Sequence, residues 1–161
     1  MSPEIDYECE LVVIIGKQGK DIPEDKALDY VLGYAVGNDV SHRGWQIQRG
    51  GGQWGVGEMF DGWAPLSGAI VSPEVFTPLM IMCSDVKIIK DPNNLRITTK
   101  VNGQTVQDSS TKDMIFNVKK IISFISQGTT LLPGDVIMTG TPQGIYSPVV
   151  ACLIFRCWDG S

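Results

Sequence analysis

Two glutamates, Glu8 and Glu10, stand one residue apart at the head of the apolar run Leu11-Val12-Val13-Ile14-Ile15. Side chains alternate along a strand, so both carboxylates leave the same face. Like charges so placed repel, and burying either one without a partner is costly. Two arrangements relieve the conflict. Either the strand begins at the surface with both groups solvated, or both converge on a cation. Two other stretches place compact polar residues at an apolar strand's end, Asn38-Asp39-Val40-Ser41 and Thr139-Gly140-Thr141. Glu8, Glu10 and Asp39, completed by carbonyl or water oxygens, would make a hard, all-oxygen site suited to Mg²⁺, Mn²⁺ or Ca²⁺.

Other chemistry has little to draw on. His42 is the single histidine, so a Ser-His-Asp triad would have to use it, and no G-x-S-x-G elbow accompanies it. Cys9, Cys83, Cys152 and Cys157 contain no C-x-x-C and match no zinc spacing. They read as reduced thiols of an intracellular protein. Gly50-Gly51-Gly52 lacks the G-K-[ST] of a phosphate loop.

The elements that must position these residues follow from periodicity. Residues 7–15 read as a strand. Residues 23–32 (PEDKALDYVL) read as a short helix with proline and acids in its first turn. Residues 33–40 form a second strand, and 41–63 a long Gly- and Trp-rich functional loop. A short strand is expected over 65–71. Asn102-Gly103 lies between two alternating segments, the signature of a type I′ hairpin. Ile115, Val118, Ile121, Ile122 and Ile125 recur at helical spacing, which predicts a helix over 113–127 ended by Gly128. Pro133-Gly134 turns the chain into a strand over 136–138. Strands dominate, so the expected class is α+β and β-rich, curled around one core.

Composition narrows the partners. A chain of 161 residues, 43% hydrophobic and 19% charged, suits a single globular domain over 1–161. The net charge is −5 and Lys119-Lys120 is the only adjacent basic pair, which argues against nucleic acid. No apolar run approaches the roughly 18 residues of a membrane span. The acidic opening MSPEIDYECE resembles neither a signal peptide nor a transit sequence. A cytoplasmic location is therefore expected, or a mitochondrial one if a leader precedes this chain.

Taken together, these stretches resemble the fumarylacetoacetate hydrolase family. DYECELVVIIGK is similar to the family's E-x-E strand, and NDVSHRGWQ to its N-D-V-S-A-R-D-x-Q segment, with Asp39 at the third ligand position. VNGQTVQDSSTKDMIFNVKKIISFIS and LLPGDVIMTGTPQGI resemble its hairpin, helix and terminal G-T-P motif. The likeness runs in unbroken order over about residues 6–145, leaving 146–161 as a divergent tail. It implies a twisted β-roll with a few short helices, a homodimer, and a divalent metal, Mg²⁺ foremost, on Glu8, Glu10 and Asp39. It further implies a 2-oxo acid or 1,3-dicarbonyl substrate, contacted by Arg43, Gln46 and Thr141. The reaction would be C–C hydrolysis, decarboxylation or tautomerisation through a metal-stabilised enolate.

Four departures bear on that expectation. The family's preceding segment carries a His and a Glu that activate water, and this chain shows no such pair. Where the family has G-K-x-F-D, this chain has Gly57-Glu58-Met59-Phe60-Asp61. Glu58 is then a surface loop residue, a fourth ligand or an acid–base group whose pKa its neighbours raise. Arg43-Gly44-Trp45-Gln46 replaces R-D-x-Q, which removes an acid that could orient Arg43, and His42 takes a place usually held by a small residue. His42 is either a supporting loop residue or a catalytic one. Finally, YSPVVACLIFRCWDGS replaces the usual end, with the apolar run 149–155 a candidate strand. Two alternatives to that enzyme therefore stand. One is a truncated, catalytically weak or inactive relative acting through oligomerisation, and the other a rewired isomerase or cyclase using Glu58 or His42.

Overall fold

The computed structural model describes residues 4–73 and 89–145. Seven strands and one α-helix follow in chain order: β1 Ile5–Asp6, β2 Cys9–Ile15, β3 Val31–Asn38, β4 Ser41–His42, β5 Arg96–Val101, β6 Gln104–Ser110, α1 Val118–Ile125 and β7 Val136–Met138. They form a three-stranded antiparallel sheet in the order β3-β2-β7, a β1–β4 pair and the β5–β6 hairpin. This is the β-rich α+β architecture that the strand pattern predicts.

The central strand explains the rest. All seven residues of β2 are buried, and its β-branched run satisfies its backbone on both sides, against β3 and β7. Leu11, Val13 and Ile15 face the main core with Ile22, Tyr34, Val118, Ile122 and Leu131. Val12 and Ile14 face the other way, with Ala35 and Met138. Each such side chain contributes about 1.5–3 kcal/mol by leaving water. By the same alternation Glu10 belongs to the Val12–Ile14 face. Opposite Glu10 in β3 stands Gly37. A Cβ there would come within 2.7 Å of Met138 Cε and 2.9 Å of Val12 Cγ2, so the absence of a side chain lets this face close beside the carboxylate.

Several expected boundaries shift, each for a local reason. The helix over 23–32 is a 3-10 segment, Glu24–Tyr30, and Val31 instead opens β3 opposite Ile15. A β-branched residue and a ladder partner outweigh one more helical turn there. The helix over 113–127 is only Val118–Ile125. Asn117 caps it, its side chain accepting from the Lys120 amide, and Ile115 lies outside, 91% exposed. The stretch 41–63 is partly regular, with β4, a π-helix over Gly44–Arg49 and a 3-10 turn over Trp54–Gly57. Over 65–71 there are only isolated bridges, Leu66 to Gly37 and Val71 to Tyr34. The Asn102-Gly103 turn forms as predicted, with φ of 52° and 82°, the left-handed pair that a type I′ turn requires. Cys83, Cys152, Cys157 and the run 149–155 lie outside the described residues.

Candidate active site

The sheet brings Glu8, Glu10 and Asp39 together at one end. One carboxylate oxygen from each lies within 4.8 Å of the others, and among the described residues no other such group of His, Cys, Asp or Glu forms. Backbone bonds fix the placement. The Glu8 amide donates to Asn38 Oδ1 at 2.9 Å, and the Asp39 amide donates to the Glu8 carbonyl at 2.8 Å. Asp39 is thus seated beside Glu8 just where β3 ends. From β7 the chain continues onto β2, with the Gly140 amide donating to Glu10 Oε2 at 2.8 Å and Thr141 Oγ1 to the Cys9 carbonyl at 3.0 Å.

These carboxylates are not the solvated pair of a strand that begins at the surface. Glu10 is 2% and Glu8 8% exposed. Burial pushes the Glu10 carboxyl up to about 8, against the Gly140 amide that favours the charged form; Asp39, Glu8 and Glu58 add to the rise. Asp39 is pushed up to about 6, by burial first and then by Glu58 and Glu8, with Arg43 opposing. Burial also raises Glu8, against hydrogen bonding and charge from Arg43. The protein concentrates negative charge here beyond what its own cation offsets. Three hard oxygen donors in this state could hold a divalent ion such as Mg²⁺ or Mn²⁺.

Arg43 is clamped between acids. Its Nη2 and Nε donate to Asp6 Oδ2 at 2.8 and 3.0 Å, and its Nη1 lies 2.6 Å from Glu8 Oε1. The expectation that no acid orients Arg43 is corrected here. With Gly44 in place of an acid, the aspartate comes from β1 instead, two residues before Glu8. A side chain at position 44 would have to displace the carboxylate end of Glu4. A Cβ there would sit within 2.5 Å of a Glu4 carboxylate oxygen. Glu4 in turn pairs with Arg49 at 3.1 Å and lies 3.7 Å from His42 Nε2.

The remaining predicted residues fall into two groups. Arg43 Nη1 also donates to Gln46 Oε1 at 2.7 Å, and Gln46 Nε2 donates to Glu58 Oε1 at 2.9 Å. Gln46 and Glu58 are therefore linked to the carboxylate cluster through Arg43. His42 is not. Its Nδ1 accepts from the Trp45 amide and its ring leans on Phe60. Thr141 lines a groove beside the cluster with Thr139, Gly140 and Met114, but its hydroxyl already donates to Cys9 and accepts from Gln107 Nε2 at 2.9 Å.

Sequence reasoning passed over Asp6 and Gln107. Asp6 carries a legible signal, since it continues the 6–8–10 alternation of acids. Gln107 carries none. It reads as one more polar residue of a hairpin, yet it is 1% exposed and joins three segments. Its Oε1 accepts from the Cys9 amide and from Thr99 Oγ1, while its Nε2 donates to Thr141 and to the Pro142 carbonyl.

Comparison with known proteins establishes the family and the fold. Residues 1–153 match the family model described as fumarylacetoacetate hydrolase, C-terminal. The chain belongs to the fumarylacetoacetate hydrolase family. It is 50% identical over 144 residues to the fumarylacetoacetate hydrolase domain-containing protein 2 homolog of Dictyostelium discoideum, covering 89% of this chain and 46% of that one. It is 44% identical to the mitochondrial oxaloacetate tautomerase fahd2 of Xenopus laevis, covering 89% and 41%. Among solved structures it is similar to a fumarylacetoacetate hydrolase from Exiguobacterium antarcticum, with a TM-score of 0.76, 37% identity, and coverage of 90% and 47%. It is also similar to a 5-carboxymethyl-2-hydroxymuconate delta-isomerase from Mycobacterium smegmatis, with a TM-score of 0.75, 36% identity, and coverage of 89% and 50%. The chain spans about half the length of the relatives it matches. No helix among the described residues is long and apolar enough to cross a membrane.

Proposed function

We propose that this chain carries the metal-binding half of an enzyme that moves a proton beside the oxo group of a 2-oxo acid or 1,3-dicarbonyl compound. The observation that carries the reading is the convergence of Glu8, Glu10 and Asp39, two of them buried and the third half-buried, three carboxylates beside a single guanidinium. The names of the relatives, an oxaloacetate tautomerase and a delta-isomerase, support proton transfer over hydrolysis.

A divalent cation held by Glu8, Glu10 and Asp39 would supply Lewis acidity at the substrate's oxo oxygen. The chain's own residues do the remaining work. Arg43 fixes the Glu8 carboxylate and, through Gln46, the orientation of Glu58. The Gly140 amide fixes Glu10. Glu58 is then the group placed to take a proton from the carbon next to the oxo group and return it elsewhere. Its Oε2 accepts no hydrogen bond from the described residues, whereas Oε1 is held by Gln46. A carboxylate anchored by one oxygen and open at the other suits a general base.

The test is proton exchange. Protein loaded with Mg²⁺ or Mn²⁺ should speed deuterium uptake at C3 of a 2-oxo acid, followed by NMR. A Glu58→Gln variant should lose about 100-fold or more of that acceleration. Exchange no faster than with metal alone would rule this reading out.

A further inference from the structure

The bond from the Gly140 amide to Glu10 Oε2 is made beyond the end of a strand. The ladder between β2 and β7 stops at the Val12–Met138 pair. Thr139 still reaches the Leu11 carbonyl, through its amide at 3.2 Å and its hydroxyl at 2.9 Å. The chain then turns at Gly140, whose φ of 96° suits a residue without a side chain. On the far side of that turn the sheet no longer holds the backbone, so residues 141–142 depend on side chains for their place.

Gln107 of β6 supplies that hold. It is buried, and both hydrogens of its Nε2 and two acceptor positions of its Oε1 are used. Two partners dictate its orientation. The Cys9 amide can only donate, and lies 3.2 Å from Oε1, whereas the Pro142 carbonyl can only accept, and lies 3.1 Å from Nε2. With the amide so fixed, the Thr99 hydroxyl donates to Oε1 at 2.7 Å and the Thr141 hydroxyl accepts from Nε2 at 2.9 Å. The Thr141 proton is thereby directed to the Cys9 carbonyl, 3.0 Å away. Gly144 brings the returning chain close to the same point of β6. A Cβ there would come within 2.6 Å of the Val106 carbonyl oxygen and 3.1 Å of Gln107 Cγ.

We propose that Gln107 is the positioning residue of Glu10, holding Thr141 and Pro142 so that the Gly140 amide stays on Glu10 Oε2. Its own hydrogen bonds go elsewhere, and it acts on the carboxylate only through the tip. The proposal rests on the proposed function in taking Glu10 as a metal ligand, while the bond it concerns forms without the ion. Groups that orient a ligand from behind are worth about 10–100-fold in metal affinity.

Amide hydrogen exchange and Mn²⁺ titration of the full chain test it together. In the metal-free protein the Gly140 amide should exchange faster in Gln107→Met than in the wild type, while amides of the β2–β3 ladder keep their protection. Mn²⁺ affinity should fall by about tenfold or more. Thr141→Val should move both readouts in the same direction, and the double variant should be no worse than the more affected single one. Thr99→Val removes a partner on the hairpin side only. It should lower the urea midpoint yet leave Gly140 exchange and Mn²⁺ affinity as in the wild type. Unchanged Gly140 exchange in Gln107→Met overturns the assignment. So does a loss of Mn²⁺ affinity in Thr99→Val equal to that in Gln107→Met, the result a merely structural role would give. Where Gln107→Met fails to fold, Thr141→Val decides by the same two readouts. If the wild type binds no Mn²⁺, the proposed function fails, and Gly140 exchange alone decides the role of Gln107.

Discussion

Replacing Arg43 with methionine is expected to cost the fold about 3–5 kcal/mol, read as a shift of the urea denaturation midpoint. The side chain is 11% exposed and its two acidic partners, Asp6 and Glu8, are 3% and 11% exposed at theirs. Removing the guanidinium leaves two buried carboxylates facing each other with nothing between them. The loss comes from those stranded charges and not from the contact area, so a second change should recover part of it. Asp6→Asn combined with Arg43→Met should be more stable than Arg43→Met alone. Arg43→Lys should rescue poorly, because an ammonium lacks the fork that reaches Asp6 through two nitrogens and Glu8 and Gln46 through the third. A loss below about 1 kcal/mol for Arg43→Met would mean that water already reaches the pair.

The second large effect concerns Glu10. Glu10→Gln should weaken Mn²⁺ binding by more than about 100-fold, because a neutral amide replaces a charged ligand. Its effect on the metal-free protein runs the other way. The Glu10 carboxyl lies near 4.5 when unfolded and is pushed up to about 8 in the fold, chiefly by burial. The folded state therefore holds a proton that the unfolded state has released. Stability is highest below the unfolded value and declines as pH rises toward about 8. Asp39, pushed up to about 6, adds to the decline in the lower part of that range, while Arg43 opposes it and Glu58 steepens it. Glutamine has no proton to lose. Above pH 8, denaturation of the metal-free proteins should find Glu10→Gln the more stable. Metal affinity of the wild type should climb over the same range, since the ion must displace the proton. A wild-type stability independent of pH between 5 and 8 would show that Glu10 ionises freely.

Which parts were legible in the sequence follows from where each signal resides. The apolar run 11–15, the Asn102-Gly103 turn and the strand after Pro133-Gly134 specify themselves locally, and they formed where expected. The spacing of Glu8 and Glu10 also indicated that the two carboxylates leave a common face. Legibility failed where long-range partners decide. Val31 could extend a helix, but Ile15 offers a ladder. Ile115 keeps the helical spacing, but Asn117 caps the helix after it. No local pattern says that Asp6 replaces an acid at position 44, because that needs β1 to lie against β4. Gln107 joins β2, the hairpin and the 139–142 tip through hydrogen bonds across as many as 98 residues. The segment 41–63 lacks periodicity because its π-helix and 3-10 turn are held by Arg43, Gln46 and Glu58 instead of by an apolar stripe.

The most direct test of the account is a calorimetric titration of the metal-free full chain with Mg²⁺ and Mn²⁺, run beside a Glu8→Ala/Glu10→Ala variant. The account predicts saturable binding of one ion per chain, with protons released near neutral pH, and no saturable binding in the variant. Absence of binding by the wild type, or equal binding by the variant, would contradict it.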